Sequence, residues 1–255
     1  MWVAATVLAT TVAACGRGDG DADVLAGAED RLAELRSGRM TLVMTASTGE
    51  GEDGAGPVGF RVEGSFSFES DGDLPVLDLT YTRILDEEQE LTVGSDGEQA
   101  WVVSEGDVTD VPPEQLETLR LGDGDRGGIP ELDLAAWVDE PVVEERNGET
   151  IVTGELDAAE MLEDLQRITA EVAGETTDEI DDEEAERLRG LVRDSSVEVV
   201  TVGEDHELRS LSGSVDFGAD VPGDLRDAFG AYAGARLELT LTIEELDGEL
   251  KVEHP

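Results

Sequence analysis

Alternation of apolar and polar residues is the dominant pattern along this chain. It is clearest near residue 240, where Leu239 and Leu241 alternate with Glu238, Thr240 and Thr242. A period of two places the apolar side chains on one face of a β-strand and the polar ones on the other. Shorter runs up to residue 112 continue the pattern, which predicts a meander of antiparallel strands. The other long runs cover residues 39–47, 58–70 and 74–85.

A period of about 3.6 replaces the alternation in two places and predicts amphipathic helices. The first covers Asp23 to Arg36, and the second begins after Asp157, a residue suited to cap a helix. A short helical turn carries Trp137, and a hairpin turn is predicted at Asn147-Gly148. About nine antiparallel strands with few helices predict an α+β fold: one large curved antiparallel sheet with helices covering one side. We expect residues 23–255 to form a single domain.

The single cysteine, Cys15, follows a short apolar run of small residues and precedes Gly16. Residues 1–14 are too short to span a bilayer, for which a helix needs about 20 residues, so they are interpreted as a signal segment. The pattern is typical of a bacterial lipobox, in which the cysteine is acylated. We therefore expect a protein anchored by its acyl chains to the extracytoplasmic face of the cell membrane, with residues 15–22 as a flexible tether.

The charge of the chain is strongly negative. Acidic residues number 63 against 17 basic ones, and the formal net charge is −46. Such a surface repels the phosphates of nucleic acids and anionic headgroups, so the charge argues against nucleic acid as a partner.

Catalytic and metal-binding motifs are scarce. The two histidines, His206 and His254, lie in a predicted turn and close to residue 255. Asp19, Asp21 and Asp23 have the first spacings of a calcium loop, but Val24 stands where that loop needs glycine. There is no nucleophile elbow and no phosphate-binding loop. We expect no catalytic residue, no metal site and no cofactor, and hence a protein that is not an enzyme.

The order of these elements resembles a known family. The lipobox, the first helix, the strand meander, the phrase "VTGELDAAEMLEDL" and the closing strands are similar to the LppX/LprG family of mycobacterial lipoproteins and, more distantly, to LolA-type carriers. The resemblance implies a half-barrel sheet with helices on its concave side and an apolar pocket between them. It also implies a ligand that is a lipid or an acylated glycolipid, and it allows an envelope transporter as a partner. We expect a monomer.

The candidate pocket residues are apolar side chains predicted on the helix-facing side of the sheet, together with two from the covering helix. The same residues could instead form a filled core. The alternative function is an envelope protein-interaction or sensing module with the same fold and no small ligand. The candidates are Met40, Leu42, Met44, Phe60, Phe66, Phe68, Leu79, Tyr81, Trp101, Leu162, Leu165, Leu239 and Leu241.

Overall fold

The structure is a computed structural model that describes most of the chain from Gly20 onward. Cys15 and the predicted signal segment 1–14 lie outside the described residues, as does the tether up to residue 19. The described ranges are 20–48, 57–68, 74–84, 89–112, 116, 132–173, 182–218, 234–245 and 249–255.

The described residues form one sheet of eleven strands and four helices. The strands are β1 (Ser37–Thr48), β2 (Val58–Ser67), β3 (Val76–Ile84), β4 (Gln89–Asp96), β5 (Ala100–Ser104), β6 (Asp107–Asp110), β7 (Val138–Arg146), β8 (Glu149–Leu156), β9 (Val192–Val202), β10 (Glu207–Phe217) and β11 (Ala235–Glu245). The helices are α1 (Gly20–Glu34), α2 (Leu134–Trp137), α3 (Ala158–Ala173) and α4 (Asp182–Arg189).

The sheet is antiparallel throughout, in the order β6-β5-β4-β3-β2-β1-β11-β10-β9-β8-β7. Its centre is the pair β1–β11, and the outermost strands are β6 and β7. The predicted fold class, a large antiparallel sheet with few helices, is confirmed. The sequence suggested about nine strands rather than eleven. A strand such as β6 is easily missed because all four of its residues are exposed and it has no apolar face.

The turn between β7 and β8 confirms the predicted hairpin. Asn147 and Gly148 have φ values of 56° and 85°, the left-handed region that a tight two-residue hairpin turn requires. The first helix also forms as predicted, but it begins at Gly20 and ends at Glu34.

The four described helices all contribute to one apolar core on one side of the sheet. Leu25 of α1, Leu134 of α2, Met161 of α3 and Leu188 of α4 are buried in the same cluster as side chains from β8 to β11. The helix α1 packs against β7, β8 and β10, and α2 packs against α1 and α3. The helices therefore cover the half of the sheet formed by the later strands.

Two polar networks position α2, α3 and α4. The Asp157 carboxylate accepts a hydrogen bond from the Ala159 amide at 2.9 Å, which confirms the predicted cap, and pairs with Arg189 of α4 at 2.7 Å. The second is centred on Asp164 of α3, where one oxygen, Oδ2, accepts from Trp137 Nε1 and from the Asp133 amide, each at 2.9 Å. Since Asp164 is buried and satisfied, it holds α2 firmly against α3.

Candidate functional site

The two faces of the sheet differ in chemistry along its whole width. Residues directly opposite each other in an antiparallel pair share a face, and successive residues alternate between faces. Leu42 of β1 lies opposite Leu241 of β11 and faces the helices, whereas Val43 lies opposite Thr240 on the other side. We call these the helix face and the polar face.

A continuous line of apolar side chains crosses nine strands on the helix face. Each member lies directly opposite the next one, so the line is set by the strand register. We call it the apolar row. From β4 to β7 it consists of Leu91, Tyr81, Val62, Leu42, Leu241, Leu211, Val199, Val152 and Val143.

The part of the row on β8 to β11 is a filled core. Val152 and Val199 have no exposed surface, and Leu211 is 2% exposed. Leu241 belongs to the same cluster. The helices pack directly on these side chains, so this half of the sheet is packed as a protein interior is.

The part of the row on β2 to β4 is only half-buried. Val62, Tyr81 and Leu91 all retain exposed surface, and the described helices pack chiefly against β7, β8 and β10 instead. The Tyr81 ring stacks on Phe60 of the neighbouring strand, with ring centroids 6.1 Å apart and planes 17° from parallel. Leu79 lies opposite Val93 and extends the apolar surface to a second line.

An open recess of about 760 Å³ lies where this apolar surface reaches the end of strands β3 to β5. Tyr81 and Leu91 form part of its wall, and Arg83 lies opposite Gln89 beside them. The recess thus has an apolar wall next to a polar edge, an arrangement common where an amphipathic ligand binds.

Apart from Trp101, the predicted lining residues fall into four groups. Leu239 and Leu241 belong to the filled core, and Met40, Leu42, Met44, Leu162 and Leu165 are half-buried along its border. Phe60, Leu79 and Tyr81 are half-buried on the uncovered strands. Phe66 is buried and its ring contacts that of half-buried Phe68, with centroids 5.4 Å apart.

Trp101 is a correction to the predicted set, because it lies on the polar face. It is opposite Gly94, and the line through Gly94 and Asp78 continues to Ser65 and Arg39. The sequence did not reveal this, since Trp101 is flanked by apolar residues on both sides and the alternation is lost there.

The predicted set also omitted apolar residues on the helix face of the uncovered strands. Val62, Leu91 and Val93 face the same side as Tyr81 and Leu79. Val62 could have been included, since it has the same parity as Phe60 in an alternating run. Leu91 and Val93 could be assigned to this face only from the register between β3 and β4. The sequence of a short strand does not specify that register.

The titratable side chains Glu29 and His206 lie beside the helices of the covered half and not in the recess. Glu29 of α1 accepts the Ala135 amide at 2.8 Å, and burial raises the pKa of its carboxyl while that hydrogen bond opposes the change. His206 lies in the β9–β10 turn and packs on Gly27 of α1. Within the described ranges, no three histidine, cysteine or acidic side chains lie close enough together to hold a metal ion.

Comparisons with known proteins found likenesses only among solved structures. No protein-family model matches the chain, and no curated protein matches it. The chain is similar to lipoprotein LppX of Mycobacterium tuberculosis, with 13% identity over 92% of this chain and 100% of that one, at a TM-score of 0.38. For LprF from Mycobacterium bovis the identity is 10%, over 93% and 98%, at a TM-score of 0.45. For a LolA superfamily protein of Nitrosomonas europaea it is 12%, over 89% and 94%, at 0.22.

The sequence resembles the LppX/LprG and LolA families, and the solved structures similar to this chain include LppX and a LolA superfamily protein. Each likeness covers about nine-tenths of this chain. Identities of 13% or less and TM-scores below 0.5 carry no argument about ligand or partner.

Proposed function

We propose that this protein binds the acyl chains of a lipid along the uncovered part of its apolar row and carries or presents them at the cell envelope. The observation that carries the proposal is the row itself. It leaves the filled core at Leu42 and continues, unbroken and half-buried, through Val62 and Tyr81 to Leu91.

The energetics of this surface suit an alkyl chain. Burying apolar surface is favourable by roughly 25 cal/mol per Å², or about 0.8 kcal/mol for each buried CH2. From Leu42 to Leu91 the row crosses three strand spacings of about 4.8 Å, so a long chain can lie across it without bending sharply. Arg83 and Gln89 line the recess, and under this proposal they would contact the polar end of such a ligand.

The anchor is proposed to be the acyl group on Cys15. Four residues lie between Cys15 and the start of α1 at Gly20, so an acylated chain would hold the domain close to the membrane. Among the described helices, none has the length and apolarity needed to cross a bilayer. Replacing Cys15 by alanine should move the protein from the membrane fraction to the soluble fraction, and an unchanged distribution would contradict the anchor.

A binding role is proposed rather than a catalytic one. The two histidines, His206 in a hairpin turn and His254 on the polar face, both lie away from the apolar row. The alternative is a protein-interaction or sensing module. In that case a partner protein, and not a lipid, would cover the same half-buried surface.

The test begins with the chain from Gly16 to Pro255, which contains every residue that the structure describes. Mass spectrometry of an organic extract of the folded protein should detect a bound acylated species. The same protein is then offered a fluorescent fatty acid. Leu79→Gln and Tyr81→Gln, on the uncovered part of the helix face, should lower its affinity at least about tenfold, equivalent to 1.4 kcal/mol.

The matched control is Thr80→Gln, between them on the polar face of the same strand, which should leave affinity unchanged. An empty extract together with no binding of the fatty acid would contradict the carrier function. Capture of an envelope protein that Tyr81→Gln abolishes and Thr80→Gln preserves would then support the alternative.

A further inference from the structure

A short segment of the chain crosses the polar face over strands β3 to β5. Lys251, Val252, Glu253 and Pro255 line a recess of about 330 Å³ together with Trp101 and its neighbours on the sheet. We call residues 249–255 the strap. Beneath it Trp101 is only 2% exposed, although it lies on the polar face of the sheet.

The indole is held between β4 and the strap. On one side it lies flat on Gly94, where a Cβ atom would come within 2.4 Å of the ring, so only glycine leaves room for it. On the other side the His254 ring packs against it, with ring centroids 4.7 Å apart and planes 60° from parallel. His254 is therefore the side chain of the strap that covers Trp101.

Both nitrogens of the His254 ring face oxygens that can only accept a hydrogen bond. Nε2 lies 2.8 Å from the Asp110 carboxylate of β6, and Nδ1 lies 3.1 Å from the main-chain oxygen of Pro255. A neutral imidazole carries one proton and can donate to only one of them, whereas the imidazolium donates to both. The contacts of the closed strap thus match the protonated ring.

The charges around the ring favour the same form. Asp110 of β6 and Asp96 of β4 both attract a positive His254, and the hydrogen bond to Asp110 is the largest effect that raises its pKa. Asp78 of β3 and Glu253 of the strap line the same recess, so most of the charge there is negative. Lys251, the basic side chain among the described residues that line this recess, pairs with Glu249 at 3.3 Å.

We propose that the strap is a proton-controlled cover for Trp101, closed when His254 is protonated and released when it is neutral. This inference does not depend on the proposed lipid function. The pKa of His254 is raised in the closed form. The charge of its ring therefore stabilises the closed strap fully when the pH is below the ordinary pKa of 6.5. It is lost as the pH rises through the pKa of the closed form, so opening should increase towards neutral and alkaline pH.

The test uses the chain from Gly16 to Pro255 in which Trp101 and Trp137 are the two indoles. Their N–H signals are followed by NMR between about pH 5 and 8, the range in which histidine titrates. The Trp101 signal should shift with the same midpoint as the His254 ring protons. The Trp137 signal, whose indole donates to Asp164 in the core, should stay constant and serves as the internal reference.

Two variants separate charge from packing. His254→Phe keeps an aromatic ring over Trp101 but cannot be protonated, so its Trp101 signal should no longer depend on pH. Asp110→Asn keeps an oxygen near Nε2 but removes the charge, and should shift the midpoint to lower pH. Thr109→Asn, next to Asp110 on the other face of β6, is the control and should leave the midpoint as in the wild type.

Three results would each overturn the proposal. The first is a Trp101 signal that stays constant while the His254 ring titrates. The second is pH dependence of Trp101 that survives in His254→Phe. The third is a midpoint that Asp110→Asn leaves unchanged.

Discussion

The apolar row joins two halves of one sheet that differ in what lies on them. On β8 to β10 its side chains are at most 2% exposed beneath the helices, whereas on β2 to β4 residues of the same kind are half-buried. Leu211 and Leu91 belong to the same row and are the same residue type, but only Leu211 is part of the core cluster. The alternating pattern of a strand therefore predicts which face can be buried. It does not predict whether a helix, a ligand or another protein covers that face.

The largest effect is expected in the covered half. Leu211→Ala removes buried methyl groups where the helices cannot easily close the gap, which should lower the free energy of unfolding by about 2–5 kcal/mol. Equilibrium unfolding in urea measures this. A loss below about 1 kcal/mol would show that the covered half is less tightly packed than its burial indicates.

A smaller effect is expected from loosening the helices. Trp137→Phe removes the indole N–H that Asp164 accepts, and should lower the free energy of unfolding by about 1–3 kcal/mol. Glu34→Gln, which breaks the exposed pair with Arg31, is the control and should change it by less than about 1 kcal/mol. Equal losses in the two variants would contradict a special role for Asp164 in holding the helices.

The uncovered half should tolerate the matched truncation. Leu91→Ala removes the same atoms as Leu211→Ala but from a half-buried position, so we expect a loss of about 1 kcal/mol in urea unfolding of the protein without ligand. A loss as large as that of Leu211→Ala would mean that Leu91 is covered in solution, and would remove the contrast between the halves.

The smallest effect concerns Glu29, beneath the edge of α2. Because burial raises its pKa, the folded chain binds this proton more tightly than the unfolded chain, and stability falls as the pH rises from 4.5 through the folded-state value. Glu29→Gln removes that dependence and should be at least as stable as the wild type at neutral pH. Melting temperatures across this range check it, with Glu34→Gln as the control on the same helix.

Much of the fold could be predicted because its signals are local. The alternation in β1 and β11 identified both strands and their apolar faces, and Asn147-Gly148 identified a hairpin. The candidate site was predicted less well, because whether Leu239 is core and Tyr81 half-exposed depends on where the helices dock. Where the helices dock is set by the tertiary fold, and the residue pattern of a strand does not encode it. Trp101 was misplaced for a related reason, since its face follows from pairing with Gly94 and not from its neighbours in sequence.

The central pair of the sheet has a consequence for how the chain reaches this structure. Met40 of β1 lies opposite Ile243 of β11, so the two halves of the sheet cannot join until the chain as far as Ile243 is free to fold. The meander β1 to β6 can form earlier from contacts between neighbours in sequence. During that interval its apolar face is open to other chains. That meander is the stretch of the nascent polypeptide on which a chaperone would be most needed.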